Sequence, residues 1–300
     1  MLHFDDNLRL KLIAWFLQYP FYMVWFIIKF FLNKEEYAWD NIQAPQHPRI
    51  LVITGASQGI GEGLVEYYCK HCPSCEIIVM ISRSIEKLER VKQRFNSADQ
   101  KKLLLYACDV TDADEMTRVL LDVHQTYGQV DIIFANAGVS FRQQLLVNNY
   151  EKAVRETFNI NINGVLNTVL PLIEIKGVKQ IAIVSSQAAY AILTSPIYGT
   201  TKQCVLSLGF DLRRRLAKDN IAVNVISPGP IATPMLSGSN IETAVKSMST
   251  KEAVKIIFHG LRRNEPEIVF PAFTGIFVYI LSFLPICIAE PVAYYFLRKS

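Results

Sequence analysis

Arg49-Ile50-Leu51-Val52-Ile53-Thr54-Gly55-Ala56-Ser57-Gln58-Gly59-Ile60-Gly61 is the stretch on which the reading of this chain turns. An apolar, β-rich run ends in three glycines spaced G-x-x-x-G-x-G, and residues 62–70 then read as a helix. The spacing is not that of the G-x-G-x-x-G dinucleotide fingerprint, but the physical demands are shared. One glycine makes a tight turn, one lets the backbone approach a pyrophosphate, and one lets the helix pack on the sheet. The first helical turn then offers free N–H groups and the positive end of its dipole to a phosphate. A glycine-rich turn without a ligand is the plain alternative. Its place directly after the first strand favours the nucleotide.

Outward from this turn, residues 76–81, 103–107, 130–134, 180–184 and 222–226 are strand-like, and 85–95, 114–127, 150–172 and 198–218 read as helices. Such alternation implies βαβ units and a parallel sheet. Strands that are continuously apolar imply burial on both faces. Residues 48–265 are therefore read as one doubly wound, Rossmann-type α/β domain whose ligand lies at the carboxyl ends of the strands. The second strand leads into Ile81-Ser82-Arg83-Ser84. An acidic residue there would bond the ribose 2′-hydroxyl of NAD, whereas an arginine accommodates a 2′-phosphate. The chain carries Arg83 and no acid, which favours NADP(H) over NAD(H); a solvated surface arginine is the alternative.

Hydrophobic residues make up 51% of the 300 and charged residues 19%, which excludes a disordered chain. A net charge of +4 is too small to argue for nucleic acid, and six cysteines do not make a disulfide scaffold. The mean hydropathy of +0.21 is high for a soluble domain and points to the ends. Residues 10–32 are apolar, with only Lys11 and Lys29 charged, and rich in aromatics that favour a membrane interface. The uncharged part, 12–28, is at the short end of what a spanning helix needs, and Pro20 sits within it. Residues 1–47 are thus read as a membrane anchor and linker, with a signal anchor, an interfacial helix and a helix packed on the domain all open. Residues 268–289 are also uncharged but interrupted by Pro271, Gly275 and Pro285. Residues 266–300 are read as an apolar membrane-associated segment that either spans the bilayer or lies on it.

With these residues in hand, the sequence resembles the short-chain dehydrogenase/reductase family over about 48–265. The turn Thr54-Gly55-Ala56-Ser57-Gln58-Gly59-Ile60-Gly61 fits its TGxxxGIG motif. Asp109-Val110 fits the pair near the adenine, and Asn136-Ala137-Gly138 fits the NAG after the fourth strand. Asn161 and Gly164 fit NxxG, Ser186 fits the strand-end serine, and Tyr198 with Lys202 fits YxxxK. Pro228-Gly229 with Ile231 and Thr233 fits the turn near the nicotinamide. Each motif is weak alone; together, in this order, they are specific. The apolar N-terminus and the stretch 251–271 look like the membrane-associated, hydroxysteroid-dehydrogenase-like branch. That branch suggests a lipophilic substrate at the endoplasmic reticulum or lipid-droplet surface.

The chemistry can be argued beside the resemblance. Tyr198 and Lys202 are four apart and share a helix face. A phenol titrates near 10, and a cation within a few Å lowers that by about 1–3 units. Tyr198 can then exchange a proton with a carbonyl or alcohol oxygen while hydride moves at the nicotinamide. The resemblance implies that Lys202 also holds the nicotinamide ribose, that Ser186 bonds the substrate oxygen and that Asn161 orders a water. Two departures stand out. The segment from Ser186 to Tyr198 is one residue short, so counting back from the tyrosine points to Ser185, while the strand-end pattern points to Ser186. The region from Gly229 to Thr250, where relatives build a substrate lid, is also short. Cys69, Cys72 and Cys75 are spaced as zinc ligands could be, but no second cluster completes a site, so they are read as ordinary thiols. Arg213-Arg214-Arg215 is read as a solvated helix face, with lipid headgroup contact as the alternative. A catalytically silent membrane scaffold and a soluble enzyme whose apolar ends are oligomer contacts, in a homodimer for instance, are the competing hypotheses.

Overall fold

The computed structural model describes residues 41–100, 102–190, 196–236, 247–282 and 291. Seven parallel strands form one sheet: β1 (Ile50–Thr54), β2 (Ile77–Ser82), β3 (Leu103–Ala107), β4 (Val130–Ala135), β5 (Val178–Val184), β6 (Ala222–Pro228) and β7 (Glu267–Phe270). Their order across the sheet is β3-β2-β1-β4-β5-β6-β7. β1, β4 and β6 are buried along their whole length, as the continuous apolar runs require. The order reverses direction between β1 and β4, and doubly wound sheets bind ligands outside the carboxyl ends at such a point.

Helices cover both faces: α1 (Gly59–His71), α2 (Ile85–Lys92), α3 (Ser97–Gln100), α4 (Ala113–Tyr127), α5 (Phe141–Leu145), α6 (Tyr150–Phe158), α7 (Gly164–Glu174), α8 (Pro196–Leu216), α9 (Thr250–Arg262) and α10 (Ala272–Ser282). Short polar side chains hold several of their first turns. Ser84, Asp112, Ser140 and Asn149 accept from the backbone of α2, α4, α5 and α6, and Ser249 with Glu252 makes a capping box on α9. The long helix expected over 150–172 is interrupted. Residues Asn159–Asn163 form one π-helical turn between α6 and α7, a wide turn of the kind often found at functional sites.

Three expectations are corrected. The domain does not stop at 265: β7 pairs with β6 from Val225↔Glu267 to Pro228↔Phe270, so residues 268–270 are sheet and not membrane segment. β7 is an edge strand of the sheet, with Ile268 and Phe270 buried and Glu267 and Val269 half-buried. α10 follows directly and packs on β7. The polar stretch before β1 is not a free linker over its last residues. Ile42 and Ala44 are buried, and Asn264 Nδ2 donates to the Ile42 carbonyl at 2.8 Å. The arginine run is not a uniform solvated face either. Arg213 is buried and donates to the carbonyls of Val223 and Asn264, whereas Arg214 and Arg215 pair with Asp211 at the surface. No helix among the described residues is long and apolar enough to cross a membrane. The anchor expected at 10–32, and residues 283–289 of the second apolar stretch, lie outside the described residues.

Candidate active site

The phosphate turn is built by close approach. Gly55 and Gly59 have φ of +67° and +60°, the left-handed region that glycine enters without steric cost. A Cβ on Gly61 would stand 2.3 Å from the Gly55 carbonyl oxygen and 2.7 Å from Asn136 Nδ2. Thr54 does not face the crevice. Its buried hydroxyl donates to the Phe134 carbonyl at 3.0 Å and accepts from the N–H groups of Asn136 and Ala137, which fastens β1 to β4. Asn136 Nδ2 donates to the Thr54 carbonyl at 2.8 Å from the same loop. Gln58, at the start of α1, supplies no side-chain cap, unlike the residues that open α2, α4, α5, α6 and α9. The first N–H groups of α1 are thus left for an anion. Ser57 is half-buried beside them, and Ile60 packs on the core.

The other predicted contacts ring this turn. Arg83 is exposed just beyond β2 and makes no ion pair among the described residues. The Asp109 carboxylate accepts from the Thr111 N–H and hydroxyl. Val110 is buried against Gly164, where a Cβ would come within 2.7 Å of it. Thr233 reaches back from the loop after β6, its methyl 3.2 Å from where a Cβ on Gly59 would lie. Ile231 is buried and bridges to Met248, so its side chain belongs to the core. This pairing, with Ala232 N–H donating to the Met248 carbonyl, closes the base of the shortened segment; residues 237–246, its middle, lie outside the described residues. The uncapped helix and the glycine cradle fit a nicotinamide dinucleotide. Gly61→Ala is expected to force the turn apart, at about 1–3 kcal/mol by the usual cost of overpacking. Nucleotide affinity would fall at least tenfold in a fluorescence titration; unchanged binding would remove the turn from the site.

The reactive groups meet at the carboxyl ends of β4, β5 and β6. Asn161, in the π turn, is fully buried; its Oδ1 accepts from Val139 N–H at 2.8 Å, and its Nδ2 donates to the Val139 carbonyl and to Thr201 Oγ1, both at 3.0 Å. A Cβ on Gly138 would lie 3.2 Å from Asn161 Oδ1 and 3.4 Å from Lys202 Nζ, so all three border one space. Lys202 Nζ is buried, donates to the Val184 carbonyl at 2.9 Å and lies 5.7 Å from the centre of the Tyr198 ring. The two serines part company. Ser185 is buried and donates to the Lys202 carbonyl at 2.8 Å. Ser186 hydrogen-bonds the Tyr198 phenol and stands 3.4 Å from the Pro228 carbonyl. Neighbours on extended backbone point to opposite sides, which is why only one of them reaches the tyrosine.

The electrostatics differ from the sequence expectation. Burial pushes Tyr198 up to about 12, with the Ser186 hydrogen bond pulling the other way. Burial also pushes Lys202 down to about 8. Desolvation therefore outweighs the cation's expected effect on the phenol. Sequence reasoning missed Thr201, which holds Asn161, and Gln187, a buried amide directly after Ser186. Neither carries a periodic or motif signal. Cys69, Cys72 and Cys75 are free thiols, with Cys69 and Cys75 pushed up to about 12 by burial.

The short chain dehydrogenase family model matches residues 49–244. Among curated proteins, a dehydrogenase/reductase SDR family protein 7-like of Drosophila melanogaster is 28% identical over 253 residues, covering 77% of this chain and 76% of its own. An 11-beta-hydroxysteroid dehydrogenase-like 3 of Arabidopsis thaliana is 26% identical over 88% of this chain and 84% of its own. A farnesol dehydrogenase of Aedes aegypti is 27% identical over 71% and 89%. Two solved structures share the fold. ElxO with NADP bound has a TM-score of 0.63 at 22% identity, covering 76% of this chain and 99% of its own. A short chain dehydrogenase from Mycobacterium paratuberculosis bound to NAD has 0.61 at 23%, covering 74% and 95%.

Proposed function

Because this chain belongs to the short-chain dehydrogenase family, we propose that it is an NADP(H)-dependent oxidoreductase acting on a lipophilic carbonyl or alcohol at a membrane surface. The observation that carries this reading is the convergence of Ser186, Tyr198 and Lys202 beside Gly138, at the edge of a turn shaped for a dinucleotide. A bound nicotinamide would supply or accept the hydride. Tyr198 delivers a proton to the carbonyl oxygen, or removes one from the alcohol. Ser186 aligns that oxygen on the phenol. Lys202, brought down to about 8 by burial and so still charged at neutral pH, supplies charge beside the phenol and would donate to the nicotinamide ribose. Asn161, fixed on Val139 and Thr201, holds the wall behind Lys202.

Arg83 supports the 2′-phosphate, since it is an exposed cation at the ribose end with no acid beside it. A lipophilic substrate is supported by apolar surface near the crevice: Leu146 and Val147 after α5 are 75% and 77% exposed, and Phe273 on α10 is 82% exposed. The names of the hydroxysteroid and farnesol relatives agree with that class. The apolar sequence at 10–32 supports membrane attachment, tested by resistance to carbonate extraction. The first experiment is a titration of detergent-purified protein with NADPH and NADH, followed by nicotinamide fluorescence and repeated on Arg83→Ala. NADPH is expected to bind at least tenfold tighter, and the substitution to erase the preference, as a lost charge-assisted phosphate contact of about 1.5–3 kcal/mol requires. Preference for NADH would reverse the cofactor assignment, and binding of neither would overturn the enzyme reading.

A further inference from the structure

Gln187 is 4% exposed, although glutamines are mostly surface residues. It opens the short 3₁₀ turn Gln187–Ala189 that follows Ser186. Its Nε2 donates to the Pro271 carbonyl at 2.9 Å. That carbonyl also receives the Gly275 N–H and the Thr274 hydroxyl, so it is the opening of α10. A Cβ on Gly229 would lie 2.8 Å from Gln187 Oε1, and one on Gly275 would lie 3.2 Å from Nε2. Two glycines thus leave the slot that the amide fills.

The contacts close a ring around the serine. Gln187 reaches Pro271; the neighbouring Phe270 carbonyl accepts from Gly229 N–H at 2.7 Å; the adjacent Pro228 carbonyl stands 3.4 Å from Ser186 Oγ; and Ser186 is bonded to Gln187. Ser186 Oγ also accepts from Ala188 N–H at 3.1 Å, so the turn that Gln187 anchors is the support of the hydroxyl itself. An apolar side chain could fill the same slot without desolvating an amide. What the amide adds is register, because a directional hydrogen bond fixes how the turn sits on α10.

We propose that Gln187 is a positioning residue that holds the Ser186 hydroxyl on the Tyr198 phenol by locking the 3₁₀ turn to the start of α10. This rests on the proposed function, since it assigns Gln187 to the same reaction. The test is Gln187→Met, which keeps the length and removes the hydrogen bond, with Gln187→Asn, one methylene too short to reach Pro271, as a second variant. Nucleotide affinity should be unchanged, because Gln187 lies outside the phosphate turn. kcat should fall about tenfold, as misplacement by a fraction of an ångström produces. The limb of the pH profile that reports Tyr198 should move to higher pH, since the Ser186 hydrogen bond holds the phenol down. In a Ser186→Ala background either change should add nothing further, because the residue it acts through is gone. Additive losses, an unshifted pH profile, or a fall in nucleotide affinity and melting temperature alone would overturn the assignment. Wild-type protein that binds NADPH but turns over no lipid carbonyl sinks the proposed function and this inference together. Wild-type turnover with unaffected variants sinks this inference alone.

Discussion

Tyr198→Phe is expected to lower turnover by about 10²–10⁴-fold, the span a positioned general acid or base contributes, while NADPH titrates as in the wild type. The phenylalanine keeps the ring against Lys202 and removes only the oxygen that Ser186 hydrogen-bonds. Because burial holds the phenol up to about 12, it is protonated across the neutral range and is a ready donor to a carbonyl. As a proton donor, Tyr198 should therefore fail in reduction only as pH climbs toward that value, and oxidation, which needs the phenolate, should rise over the same span, both distinct from the change near 8 where Lys202 loses its charge. Both limbs should be missing in Tyr198→Phe. Turnover within twofold of wild type, with intact nucleotide binding, would remove Tyr198 from the reaction and return the catalytically silent scaffold as the better account.

The inner strands were legible because burial on both faces writes itself as unbroken apolar runs: β1, β4 and β6 were read to within one or two residues, and the edge strand at 103–107, though only partly buried, is apolar enough to be read to the residue. Composition hid β7, an edge strand whose residues are alternately half-buried and buried. Ile268, Val269 and Phe270 run without a charge into α10 and on to Ala289, and a short apolar strand followed by a greasy helix has the composition of a membrane segment. Only pairing with β6, a contact about forty residues away in sequence, distinguishes them. The glycine turn could be placed because steric exclusion is local. By contrast, the choice between Ser185 and Ser186 depends on which side of an extended chain faces the tyrosine, and counting residues does not supply that. The π turn at Asn159–Asn163 and the slot of Gln187 arise from packing between distant elements. Neither leaves a mark in the local pattern of Asn159-Ile160-Asn161-Ile162-Asn163 or Ser186-Gln187-Ala188.

Lys202→Met should abolish measurable turnover and yet make the protein more stable at neutral pH. Lys202 is 3% exposed, and burial takes its ammonium from the ordinary 10.5 down to about 8. Below pH 8 the lysine is charged in both the folded and the unfolded chain, and the fold carries the full penalty of that shift, roughly 3 kcal/mol. Loss of the hydrogen bond to the Val184 carbonyl gives back about 1 kcal/mol. The variant should therefore unfold in urea with about 1–2 kcal/mol more stability at pH 7. Between pH 8 and 10.5 the unfolded wild type binds a proton that the folded form does not, so wild-type stability rises with pH and the advantage of methionine shrinks. Above 10.5 it should be gone. A structural lysine would give the opposite result, since removing it would destabilise the fold at every pH. On the proposed function, a buried cation that the fold tolerates at a loss is explained by the reaction, which would use charge beside the phenol and a donor toward the ribose.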